Sequence, residues 1–77
     1  MPHAPSLSRR EVEVLSHVAM GETSKEIAIA LGIGERTVNW HIAKAFQKLG
    51  AGSRAEAVAL AMEQGIVRRA HDSRTSR

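Results

Sequence analysis

Four stretches with apolar residues at helical spacing, and no run with the alternation of a strand, predict an all-α fold. The expected architecture is a compact four-helix domain containing a helix-turn-helix. Two further observations support it. Three of the stretches open on a serine or threonine followed three residues later by glutamate. Only Gly32-Ile33-Gly34 separates the second stretch from the third, a connection so short that the two helices must cross steeply. A chain of 77 residues holds one domain.

Helix 1 is expected over about 9–20. Ser8-Arg9-Arg10-Glu11 reads as a capping box, with Leu7 and Val12 placed as a hydrophobic staple around it. Val12, Leu15 and Ala19, with Val18 alongside, keep a helical period until Gly21. Helix 2, about 24–31, opens on the box Thr23-Ser24-Lys25-Glu26 and closes at Gly32, which can take the left-handed conformation of a helix end. Helix 3, about 35–49, has a core stripe of Val38, Ile42, Ala45 and Leu49, flanked by His41 and Phe46. Its opposite face carries Arg36, Trp40, Ala43 and Gln47, with Asn39 and Lys44 at the edges. Helix 4, about 54–64, follows a third box, Ser53-Arg54-Ala55-Glu56. It is apolar on two sides: Ala57, Leu60 and Ala61 on one, Ala55, Val58, Ala59 and Met62 on the other. A helix of this kind needs two partners.

Residues 1–6 are expected as a flexible lead-in, 7–67 as the domain and 68–77 as a basic, disordered tail. The formal net charge of +3 comes entirely from that tail, where Arg68, Arg69, Arg74 and Arg77 outweigh Asp72. The seven basic residues up to 65 are balanced by seven glutamates. Their distribution is nevertheless uneven, since Arg36, Lys44, Lys48 and Arg54 follow one another with few acids between.

The absence of cysteine rules out disulfides and fits a reducing cytoplasm. No apolar run approaches the ~20 residues of a membrane span, and no signal peptide is visible. His3, His17, His41 and His71 form no i,i+4 pair and have no acidic cluster, so neither a metal nor a cofactor is expected. His41 is expected as a packed, hydrogen-bonded residue at the core edge. No serine or threonine has a base near it in sequence, and no small-molecule pocket is expected; the chain does not read as an enzyme.

The outer face of helix 3 suits the major groove, which demands donors, acceptors and small apolar groups held at fixed distance by phosphate contacts. Asn39 and Gln47 can pair with adenine, and Ala43 can touch a thymine methyl. Arg36, Thr37 and Lys44 can reach phosphates, helped by the N-terminus of helix 3. Trp40 can pack on the sugar-phosphate backbone or a thymine methyl.

From Leu7 to Val67 the chain resembles the LuxR-type (LuxR/FixJ) DNA-binding domain. The matching stretches are Leu7-Ser8-Arg9-Arg10-Glu11 with Glu13-Val14-Leu15, Gly21, Ser24-Lys25-Glu26-Ile27-Ala28 and Leu31-Gly32-Ile33. Thr37-Val38-Asn39-Trp40-His41-Ile42, Lys48-Leu49-Gly50 and Ser53-Arg54-Ala55-Glu56-Ala57 complete the pattern. Asn39-aromatic-His41 is most similar to the branch that responds to acyl-homoserine lactones. The resemblance implies a bacterial transcription regulator, or its effector domain, with the third helix in the major groove. It implies base contacts from Asn39, Trp40 and Ala43, and phosphate contacts from Ser24, Lys25, Thr37 and Lys44, with Lys48 and Arg54 beside them. It also implies a homodimer through helix 4. The outer apolar side, Ala55, Val58, Ala59 and Met62, is the expected seam, and two-fold symmetry then predicts an inverted repeat of double-stranded DNA. Gly34 departs from the family's usual serine or threonine cap, and Ala43 from a longer polar side chain. Two other readings are a region 4-like sigma domain tethered to RNA polymerase, and a helical protein-interaction module that touches no DNA.

Overall fold

Three of the four helices begin where a side chain satisfies backbone N–H groups that the first turn leaves open. In the computed structural model, which describes residues 6–67, the four are α1 (Arg9–Ala19), α2 (Ser24–Leu31), α3 (Glu35–Leu49) and α4 (Arg54–Glu63). The order and type match the expected four helices, and the bounds differ by one residue at the ends of α1 and α4. The lead-in up to residue 5 and the tail from residue 68 lie outside the described residues.

Ser8 and Thr23 form complete capping boxes, each hydroxyl accepting from the backbone of Glu11 or Glu26 while that glutamate accepts from the cap's own N–H. The third box is only half made. Ser53 accepts from the Glu56 N–H at 3.1 Å, but the Glu56 carboxylate takes the Gly52 N–H at 2.7 Å instead of that of Ser53. The reason is backbone geometry: Ser53 has φ −152°, against −74° at Ser8 and −80° at Thr23, and its N–H is turned away. At Gly34 no side chain caps α3. Gly32 (φ 69°) closes α2 in the left-handed conformation and lets the chain turn into α3 within three residues.

Helices α1 and α3 form the centre, with α2 and α4 each packed against both. Val14, Val18, Ile27, Ala28 and Val38 build one cluster, joined by Leu31, Ile33, Ile42 and Val58. Leu15, Ala45, Ala61 and Val67 build the other, covered by Leu7, Ala19, Phe46, Leu49, Met62 and Ile66. The core face of α1 is therefore Glu11, Val14, Leu15 and Val18. Val12, expected on that face, belongs to neither cluster; the helix is rotated so that Val14 is sealed against α2 and α3. On α3 the expected stripe holds, with Val38 and Ala45 fully buried.

Glu11 is the one buried charge among the described residues, with 3% of its surface exposed. Its Oε1 accepts from the Ser8 N–H at 2.9 Å and from Lys48 Nζ at 2.9 Å. Burial alone would raise its pKa, but these two donors and the nearby Lys44 charge more than offset it, so the carboxyl titrates below its ordinary 4.5. One acid thus caps α1 and ties it to the far end of α3.

Candidate nucleic-acid interface

The crossing of α2 and α3 leaves one side of α3 largely uncovered among the described residues. Arg36, Thr37, Asn39, Trp40, Ala43 and Gln47 are all exposed there, and Lys44 is half-buried. A tryptophan 57% exposed is unusual in so small a domain, because about 25 cal/mol per Å² of apolar surface is forgone while it faces water. Its position is fixed by two neighbours. The His41 ring meets it edge-on, with centroids 5.0 Å apart at 65°, and Lys44 Nζ lies 5.2 Å from its ring centroid. Such a cation–π contact contributes about 0.5–1 kcal/mol at an exposed site, enough to bias Lys44 along the face.

His41 departs from expectation in one respect. It is packed, but its Nδ1 is buried with no hydrogen-bond partner among the described residues.

The remaining expected contact residues divide into free and engaged. Lys25, in the first turn of α2, is exposed with no ion pair among the described residues. Ser24, beside it, donates its hydroxyl hydrogen to Asn39 Oδ1 at 2.6 Å, linking α2 to α3 on the outer surface. Lys48 points inward, to Glu11 and to the Ser6 carbonyl at 3.3 Å. Arg54 donates through Nη1 to the Glu22 carbonyl at 3.1 Å, which ties the start of α4 to the α1–α2 connection. Glu22 is itself held by His17 Nδ1 at 2.7 Å. The Glu11–Lys48 pair and the Ser24–Asn39 link span 37 and 15 residues, and no local pattern in the sequence announces either.

On α4 the two apolar sides are not equivalent. Ala57 and Ala61 are fully buried, whereas Ala55 and Ala59 are exposed. Val58 and Met62, assigned from sequence to the outer side, are half-buried against the two core clusters. They lie at the edge of the outer side because the helix packs on a ridge that includes them. No group of three or more metal-ligating side chains occurs among the described residues, and none of their helices is long and apolar enough to cross a membrane.

Comparison with known proteins gives the family and agrees with the four-helix fold. Residues 5–61 match the family model described as bacterial regulatory proteins, luxR family. The chain is 49% identical over 61 residues to the transcriptional regulatory protein YdfI of Bacillus subtilis, a match covering 79% of the chain and 29% of YdfI. It thus spans under a third of that relative's length. The spore germination protein GerE of Bacillus subtilis is 44% identical over 61 residues, covering 79% of the chain and 82% of GerE. A solved structure of the transcription factor GerE superimposes with a TM-score of 0.75 at 34% identity, over 82% of this chain and 96% of that one. A Vibrio cholerae VqmA dimer, solved in the absence of its target DNA and described as a LuxR-type receptor, gives 0.76 at 36% identity, over 80% and 29%. The chain therefore belongs to the luxR family of bacterial regulatory proteins, as a four-helix, helix-turn-helix DNA-binding domain of that family.

Proposed function

We propose that the chain regulates transcription by laying α3 in the major groove of double-stranded DNA, as two copies paired through α4 on an inverted repeat. The observation that carries this reading is the outer face of α3, on which Arg36, Asn39, Trp40, Ala43 and Gln47 are exposed together around a tryptophan that the core does not use. Asn39, Gln47 and Ala43 face base edges, and Trp40 packs on the sugar-phosphate wall or a thymine methyl. Lys25, Arg36, Thr37 and Lys44 bind phosphates, with the α3 N-terminus, left uncapped by a side chain at Gly34, offering its N–H groups to another. Lys48 and Arg54 serve this surface from behind, since their donors hold Glu11 and Glu22. Two-fold pairing through exposed Ala55 and Ala59, with Val58 and Met62 at the rim, sets half-site centres about 10 bp apart. The VqmA dimer supports pairing in a relative. In this reading the chain works in the bacterial cytoplasm on the nucleoid; a pull-down on the assembled promoter complex tests whether RNA polymerase is a further partner.

Trp40→Ala is the test. Truncating an exposed side chain leaves the core intact, so thermal unfolding stays within about 2 °C while affinity for duplex DNA falls about tenfold or more. Unchanged duplex affinity with the fold retained overturns the groove placement. Loss of a bound protein partner, with DNA binding unaffected, favours an interaction module instead.

A further inference from the structure

The Ser24–Asn39 hydrogen bond bears on which base the domain reads, an inference that rests on α3 occupying the major groove. An asparagine pairs bidentately with adenine by accepting from N6 and donating to N7, so both ends of its amide must face the base. Here the Asn39 oxygen is drawn toward α2 by the Ser24 hydroxyl at 2.6 Å. The bond is short for two neutral groups and crosses between elements whose spacing is fixed by the buried Ile27, Ala28 and Val38 behind it. With Oδ1 engaged by Ser24, the group the amide has left to offer a base is its NH₂, a pair of donors. A base edge with two adjacent acceptors is then the match, and in the major groove that edge is guanine, with N7 and O6.

We propose that Ser24 is a positioning residue that fixes the amide orientation of Asn39, so that Asn39 reads guanine where a free asparagine in its place would read adenine. Ser24 thus leaves the set of phosphate ligands: its hydroxyl hydrogen is committed to Asn39. Ser24 is not the cap of α2, a role held by Thr23, so it can be altered without opening the helix end.

The test is equilibrium competition among four duplexes that differ at one base pair per half-site, the pair whose preference Asn39→Ala abolishes. The wild-type domain should prefer guanine over adenine by about tenfold there. Ser24→Ala, which frees the amide, should lower that ratio below about threefold or invert it, while affinity for the best duplex stays within about threefold. Ser24→Thr retains the hydroxyl and should restore the wild-type ratio. A merely structural serine would change overall affinity or melting temperature and leave the ratio alone. The inference is overturned if wild type prefers adenine, if Ser24→Ala keeps the wild-type ratio, or if no base preference depends on Asn39. Failure of the wild-type domain to bind any duplex would instead refute the proposed function on which the inference rests.

Discussion

Replacing Lys48 by methionine probes the ion pair that couples the cap of α1 to the end of α3. Methionine keeps most of the aliphatic stem and removes the ammonium, so the carboxylate of Glu11, 3% exposed, retains the Ser8 N–H and loses its counter-charge. Removing one member of a fully sealed pair costs about 3–5 kcal/mol, because a charge is left without compensation. The Lys48 side chain is 27% exposed, so water reaches its end of the pair and part of the charge is rehydrated. We therefore expect a loss of about 2 kcal/mol at pH 7, which in a domain of this size lowers Tm by roughly 8–16 °C. The pH dependence separates this from a simple packing defect. In the wild type the Glu11 pKa lies below its unfolded value, so its stabilisation is complete above about pH 4.5 and is lost as pH falls through the lower folded pKa. In the variant the lowering contribution of Lys48 is gone, so the folded pKa lies higher than in the wild type and protonation costs the fold less as pH falls. The gap between the two proteins must narrow between pH 7 and pH 3.5. Thermal unfolding followed by circular dichroism at both pH values measures it. A Tm within 2 °C of wild type at pH 7, or a deficit equal at the two values, refutes the argument.

Two further substitutions probe the start of α3 and the outer side of α4. Gly34→Ser should raise Tm by roughly 3–8 °C, from about 0.7–1 kcal/mol. A Cβ there meets nothing nearer than Thr37 Oγ1 at 4.0 Å, the backbone already lies at φ −76°, and a serine can cap α3 while restricting the unfolded chain. An unchanged or lower Tm in the same unfolding assay contradicts this. Ala59→Glu places a charge on the exposed side of α4 without entering the core, where Met62→Glu would also disturb the cluster around Leu15. It should leave Tm unchanged and convert cooperative binding to a two-half-site duplex into independent binding of single copies. Persisting cooperativity in a gel-shift titration would place the seam elsewhere.

What the sequence made legible was local. Ser8 and Thr23 announce their helices because a capping box is completed within four residues, and the Gly32–Gly34 connection sets the crossing of α2 and α3 by its length alone. The stripe Val38, Ile42, Ala45 and Leu49 has a single helical period and so identified the buried side of α3, and with it the outer side that carries Trp40. The rotation of α1 was not legible, because Val12 and Val14 are both valines on an apolar arc and only the packing of α2 decides between them. Lys48 looked like a free cation because its partner lies 37 residues away, at a glutamate already explained as a cap. The share that Val58 and Met62 give to the core was hidden for a related reason: on a helix apolar on two sides, periodicity cannot show how far the core wraps around it.

In the proposed function α3 reads duplex DNA as half of a symmetric pair. Selection of bound sequences from a pool of random duplexes by the wild-type domain tests it most directly. The expected result is enrichment of an inverted repeat whose half-site centres lie about 10 bp apart, abolished in the Trp40→Ala domain. Recovery of sequences with no common symmetry, or of the same sequences without Trp40, would contradict it.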